Sequence, residues 1–190
     1  MSAIATPDDV YTFWFGPTPG VERSEWFEKN AEFDLTNRER FAATHDHVHR
    51  GAADHWLQAP RSALAYVIVL DQFSRNMYRD TPRAFASDDR ALSAAREIVA
   101  KGWDRTLAPR ERQFAYLPFE HSEEVAMQAE SIRLFGELEL LPETKGLLEW
   151  ARKHAVIIER FGRFPHRNVL LGRTSTLQEL EFLKQADSSF

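Results

Sequence analysis

The feature that most restricts the fold is the longest apolar run, Ala63 to Leu70, eight residues with no charge and no turn former. A helix that crosses a bilayer needs about 20 apolar residues, so this run is too short to span one. Val67, Ile68 and Val69 are β-branched and the run has no clear period, which taken alone allows a buried strand. A strand must pair, because buried backbone N–H and C=O groups without partners are costly, and no other segment reads as a strand. The run is therefore predicted to be a helix, apolar on all sides and fully buried, at the centre of an all-α fold.

Helix punctuation on both sides agrees. Thr6, Pro7, Asp8 and Asp9 supply an N-cap, a preset first turn and acids at the positive end of a helix through Phe15, which Gly16 and Pro17 stop. A short turn around Ser24 to Lys29 is expected to bury Trp26 and Phe27, and Thr36 with Glu39 makes a capping-box pattern for a longer helix toward Gly51. Ser87, Asp88 and Asp89 open a helix in which Leu92, Ala95, Ile98 and Val99 recur at helical spacing until Lys101 and Gly102. Pro109 starts a segment, Phe114 to Leu117, that Pro118 is expected to kink or end before a helix from about Ser122 to Leu138. After Pro142, residues Leu147, Leu148, Ala151, His154, Ala155 and Ile158 mark one helix face, closed by Gly162. Ser175 with Gln178 and Thr176 with Glu179 cap a last helix, with Leu177, Leu180 and Leu183 inward. About eight helices with short connections predict antiparallel hairpins in one domain over residues 1–190.

Composition narrows function mainly by exclusion. With no Cys, disulfides, thiolate nucleophiles and Cys-ligated metals are absent. Met1 to Asp9 lacks the charged and apolar regions of a secretion signal, so a cytoplasmic protein is expected. A net charge of −5 argues against nucleic-acid binding by phosphate neutralisation. Charge is unevenly placed: Gln113 to Ile132 holds four Glu and no Lys or Arg, whereas Arg160 to Gln178 holds four Arg and no acid. Arg outnumbers Lys 19 to 5, which suits planar recognition of carboxylate or phosphate, although a GC-rich genome has the same effect.

Three segments combine polar and aromatic residues. In the first, Asp71, Arg75 and Arg79 share a helix face at i, i+4, as do Gln72 and Asn76; the plain alternative is an Asp71–Arg75 pair holding a helix end. In the second, Glu120, His121 and Glu124 lie close enough on a helix to converge for acid–base work, or merely complement a helix dipole. In the third, Arg160 to Asn168 is a Gly/Pro turn carrying Arg160, Arg163, His166 and Arg167 among Phe161 and Phe164. Two Phe imply a partly buried turn whose guanidinium groups face either the Glu-rich segment or an external anion. His45 and His49 stand at i, i+4 as zinc ligands would, but Asp46 replaces the Glu a metalloprotease needs, and both are expected on exposed helix surface. No catalytic triad spacing, P-loop or dinucleotide glycine pattern is present, and no metal or cofactor is expected.

Phe13-Trp14-Phe15-Gly16, Asp71-Gln72-Phe73 with Arg75, Asn76 and Arg79, Pro118 to Glu123, and Gly162 to Asn168 together resemble a bacterial family known as domain of unknown function 924. The resemblance runs nearly the whole chain and ends on Ser188, Ser189 and Phe190. It implies an α-α superhelix similar to tetratricopeptide-repeat proteins, and no established activity. Ser74 departs from the family pattern, which often has Pro there. The three segments are expected to meet at a polar pocket for a small anion, with Asp71, Arg75, Asn76, Arg79, Arg163, Arg167 and Asn168 binding it. In an enzymatic version Glu120 is the base and His121 or His166 the proton partner in a hydrolysis. The alternative is an adaptor that binds a peptide on a concave face lined by Trp26, Trp56 or Trp103. Oligomeric state is not legible in the sequence.

Overall fold

The computed structural model describes residues 3–18, 20–186 and 188. Helices α1 (Pro7–Phe15), α2 (Ala31–His49), α3 (Pro60–Ile68), α4 (Ser74–Met77), α5 (Asp88–Ala100), α6 (Pro109–Glu120), α7 (Val125–Leu138), α8 (Leu147–Phe161) and α9 (Leu177–Phe182) follow one another without a strand among the described residues. A π turn, Val69–Phe73, fuses α3 and α4 into a single rod, so nine α segments make eight rods. None of these helices is long and apolar enough to cross a membrane.

The apolar run is the hub. Residues 63 to 70 are all buried, and α3 packs against α1, α5 and α6. Sequence neighbours α6, α7 and α8 pack pairwise beyond it. On the α1 side the core is aromatic: Trp14 meets Phe114 edge-on at 5.3 Å, Trp26 meets Phe114 at 4.9 Å, and Phe41 meets Phe73 at 4.8 Å. A smaller cluster of Ile157, Ile158 and Phe164, with Phe161 and Phe182 against it, anchors the C-terminal turn and α9 to α8.

Several boundaries follow the punctuation. Thr6 and Asp9 form a reciprocal capping box, as do Thr176 and Glu179, and Gly162 closes α8 in the left-handed region at φ 68°. Others do not. Helix α2 starts at Ala31, capped by the Asn30 side chain on Phe33 N–H, because burying Phe33 against Phe13 and Trp14 requires the earlier turn. Phe27 is 54% exposed while Trp26 alone is buried. Pro118 does not end α6, which runs two residues further, and α7 begins only at Val125. In α9 the inward position belongs to Glu179, held by Arg163, and Leu177 is 82% exposed. Trp26 and Trp56 are buried and Trp103 is partly buried against the core, so these three line no open groove.

His45 is buried, not a surface histidine. Its Nε2 lies 2.6 Å from Ser74 Oγ, which lies 2.7 Å from Ser87 Oγ, which donates to the Leu70 carbonyl at 2.7 Å. Each hydroxyl has one proton, and the carbonyl only accepts, so the chain has one consistent direction. His45 Nε2–H donates to Ser74, Ser74 to Ser87, and Ser87 to Leu70. Burial, which pushes His45 down to about 4, keeps the ring neutral, with its one proton on Nε2. Ser74, in the position of the family's Pro, thus ties α2 and the start of α5 to the π turn.

Candidate functional site

The π turn places Asp71 at the meeting point of α3, α5 and α6. Asp71 is fully buried; its carboxylate accepts from Gln72 Nε2 at 2.5 Å and His121 Nδ1 at 2.7 Å and lies 3.1 Å from Arg75 Nη1, which donates to the Asp71 main-chain carbonyl at 3.0 Å. Burial alone would raise its carboxyl, but Arg75 and His121 outweigh that and hold it well below the usual range. Arg75 turns its other edge to Asp88, the first residue of α5, in a bidentate pair at 2.8 and 3.0 Å. Asp88 Oδ2 in turn lies 3.5 Å from Arg167 Nη1.

Arg167 is the least satisfied of these ions. It is 6% exposed, its Nε has no hydrogen-bond partner, and its nearest carboxylate is already engaged twice by Arg75. Two rings flank the guanidinium, Phe85 with its centroid 4.8 Å from Cζ and Phe164 at 4.4 Å. Burial and the neighbouring Arg75 pull its pKa down to about 10, which leaves it charged at neutral pH.

Glu120 and His121 end α6, where unpaired carbonyls disfavour a negative charge. Burial, then the proximity of Asp71, pushes the Glu120 carboxyl up to about 8, so it keeps its proton at neutral pH. Its Oε1 lies 3.3 Å from His154 Nδ1, and that nitrogen donates to the Trp150 carbonyl at 2.9 Å. His154 is neutral, held down to about 3 by burial. Oε1 therefore faces a donor, and the Glu120 proton belongs on Oε2, which has no hydrogen-bond partner. His121 has the complementary arrangement. An ionised Asp71 only accepts, so His121 carries its proton on Nδ1 and leaves Nε2 as a bare acceptor. Burial, then Arg75, lowers the His121 pKa and favours this neutral form.

These contacts close on themselves. From Asp71 the circuit runs through Arg75, Asp88, Arg167 and Phe164 to His154, whose ring meets Phe164 edge-on at 5.6 Å, then to Glu120 and its neighbour His121, and back. His166 stands beside it, its ring 5.7 Å from Phe164, lowered to about 4 by burial and by Arg167. Five of the residues expected at the site, Asp71, Arg75, Glu120, His121 and Arg167, are in the circuit.

The others serve elsewhere. Asn76, still inside α4, and Arg79, just beyond its end at Met77, both bind Asp34 on α2, at 2.7 and 2.5 Å, because α4 packs against α2. Arg163 pairs with Glu179 at 2.7 and 2.9 Å. Asn168 is buried and bridges Arg173 Nε and Ser175 Oγ at 2.9 and 3.0 Å. Arg173, beyond the expected set, clamps Glu123 at 2.6 and 3.0 Å while Glu123 also accepts from Phe164 N–H at 2.7 Å. The Arg-rich turn therefore does face the Glu-rich segment, through Arg173 and Glu123; Arg163 pairs with Glu179 of α9 instead, the exposed Arg160 lies over the Phe161 and Phe182 rings, and Arg167 is the buried member whose pairing is incomplete. Asp88 and His154 are the members that sequence reasoning missed. Asp88 reads as an ordinary helix-opening acid, whereas His154, a titratable ring on the otherwise apolar face of α8, is the available signal.

Helical packing around a buried Arg, carboxylate and His circuit defines the class: an all-α protein with a polar centre between its helices. The chain belongs to the family described as bacterial protein of unknown function, domain of unknown function 924, whose model matches residues 10–187. It is also similar to the solved structure of a protein of unknown function from Agrobacterium tumefaciens, at 38% identity and a TM-score of 0.84, covering 94% of this chain and 96% of that one. A comparison with curated proteins finds no match. Of the family-like C-terminal residues, Ser188 is buried, and Ser189 and Phe190 lie outside the described residues.

Proposed function

We propose that this protein binds a small carboxylate monoanion at Arg167. The observation that carries the reading is a buried guanidinium whose Nε lacks a partner and whose nearest carboxylate, at 3.5 Å, is committed to another arginine. A buried cation so incompletely paired is expensive unless something else completes it. Charge favours a monoanion over phosphate. Asp71 and Asp88 already balance Arg75 and Arg167 in formal charge, so each negative charge on a guest is an added cost and a singly charged guest costs less than a doubly charged one. Shape favours a planar group as well, since a carboxylate matches the planar guanidinium fork that lies against the Phe85 and Phe164 rings.

Thermal melting with millimolar propionate, benzoate or inorganic phosphate tests this. The carboxylates are expected to raise Tm in wild type and not in Arg167→Met, which keeps the stem between the rings and removes the charge. Carboxylates that leave wild-type Tm unchanged, or raise Arg167→Met equally, would refute the reading, and a larger response to phosphate would replace the ligand class. Residence in the cytoplasm and a likeness to tetratricopeptide-repeat superhelices fit this role, and their support remains the sequence.

A further inference from the structure

We infer that a recess between the end of α8 and the start of α9 binds a small phosphomonoester borne on a flat apolar group, with Arg160 as its principal ligand. The recess is lined by Arg160, Phe161, Arg163, Thr176, Gln178 and Glu179, and its volume of about 380 Å³ is within the ordinary range for small-molecule sites. None of these residues belongs to the circuit around Arg167, so the inference goes beyond the carboxylate reading and does not depend on it.

The polar groups of the recess divide into spent and unspent. Glu179 accepts from Arg163 Nε and Nη2 at 2.7 and 2.9 Å and from the Thr176 N–H at 2.7 Å, so both of its oxygens are committed. Arg163 Nη2 also donates to the Thr174 carbonyl at 2.9 Å, which makes this pair a fixed wall without net charge. Arg160, three residues earlier, is exposed and makes no ion pair among the described residues. Its guanidinium lies over the Phe161 and Phe182 rings, whose centroids are 4.6 and 5.9 Å from Cζ and 5.1 Å from each other. The recess therefore carries one uncompensated positive charge on an aromatic base. Its unspent groups are mostly donors: the Arg160 N–H groups, Arg163 Nη1, the Thr176 hydroxyl proton and the Gln178 amide. Water serves these donors in the free protein, so a guest must bring negative charge, several acceptor oxygens and a contact that water lacks.

A phosphomonoester meets these needs better than a carboxylate does. The donors come from the end of α8, the residue beyond Gly162 and the start of α9, and three terminal oxygens reach donors in several directions where a planar carboxylate offers two oxygens in one plane. Aspartates cancel the arginines around the buried Arg167, but Arg160 is uncancelled at the surface, where a second negative charge on the guest stays partly hydrated. Phe161 lines the same recess and supplies apolar area for the group that bears the phosphate.

Isothermal titration calorimetry on the full chain with phenyl phosphate, inorganic phosphate and benzoate is the test, in wild type, Arg160→Gln and Arg167→Met. Phenyl phosphate is expected to bind wild type and Arg167→Met alike, and Arg160→Gln on the order of 10-fold more weakly, as loss of a charge-assisted contact implies. Arg160→Gln breaks no ion pair and is expected to melt with wild type. Inorganic phosphate is expected to bind more weakly than phenyl phosphate because it leaves Phe161 uncovered; equal binding would overturn the part given to that ring. Phenyl phosphate that does not bind wild type at millimolar concentration, or binds Arg160→Gln equally, would overturn the site. Benzoate that binds Arg167→Met as tightly as phenyl phosphate does would overturn the ligand class. Phosphate binding lost in Arg167→Met and kept in Arg160→Gln would overturn this inference and the carboxylate reading together. A phosphate effect on melting that Arg167→Met keeps and Arg160→Gln loses supports the recess and leaves the carboxylate reading untouched.

Discussion

Two arginine–carboxylate groups share the C-terminal turn and differ in completeness. Around Glu123, Arg173, Asn168 and the Phe164 backbone close every edge: Arg173 uses Nε, Nη1 and Nη2, and both Glu123 oxygens accept. Around Arg167 and Glu120, a guanidinium Nε and a carboxyl oxygen are left over in a more deeply buried place. The first group is what a lattice that holds a turn requires. The second has polar groups that folding alone does not satisfy, and native proteins tolerate few of those away from functional sites. Buried polar atoms without a partner also occur elsewhere among the described residues, at Asn37, Arg110 and Ser131 for instance, so what marks the second group is that a guanidinium and a carboxyl are both left over in one connected circuit.

The strongest challenge to this contrast is removal of Arg75, which joins the buried Asp71 to the half-buried Asp88. Arg75→Ala strands Asp71 and is expected to cost roughly 3–5 kcal/mol in urea unfolding. Next comes Glu123→Ala, which strands Arg173 and the Phe164 N–H and is expected to cost about 3 kcal/mol by the same measurement. If Glu123→Ala is silent, the complete group is not a structural clamp.

Titration gives the next effect. Glu120 is raised in the folded chain, to about 8, so its contribution to stability is whole below its unfolded value of 4.5 and is lost as pH rises through 8. His154 and His166 are depressed, so theirs is whole above 6.5 and is lost as pH falls through about 3 to 4. Tm is therefore expected to rise with pH up to about 6.5, where the histidine contributions outnumber that of Glu120, and to decline between pH 6.5 and 8 by several degrees, at about 2–4 °C per kcal/mol for a chain of this size. Glu120→Gln should flatten that limb in calorimetry and leave the acid limb in place. Smaller still is Arg167→Met, expected within about 1 kcal/mol of wild type because the lost charge was poorly paired and the stem still packs on two rings. A cost as large as that of Arg75→Ala would place Arg167 in the lattice.

Much of the fold is legible in the sequence because its information is local. Thr6, Pro109, Gly162 and Thr176 set helix ends through groups within a few residues, and Ala63 to Leu70 declares its burial by apolarity. Where long-range packing decides, the pattern misleads: Phe33 pulls the α2 cap six residues earlier, from Thr36 to Asn30, and an ion pair turns Glu179 inward ahead of the leucines. The candidate site divides in the same way. Asp71 with Arg75 and Glu120 with His121 are visible as local spacings, and the three family segments name most of the circuit. The fates of Arg79 and Asn76 depend on Asp34 across the interhelical space, and Asp88 acquires its role only when α5 docks on the π turn.

The π turn at Val69–Phe73 holds one more residue than an α turn over the same stretch. In effect the rod carries a spacer that resets the angular phase of everything after it. Excising a single residue there would restore regular pitch and swing the downstream side chains through about 100°. Arg75 would leave Asp88, Asn76 and Arg79 would leave Asp34, and Ser74 would leave His45, all at once. Four recognitions hang on one added link of chain, so this short segment sets the registration between the central rod and the helices on either side of it.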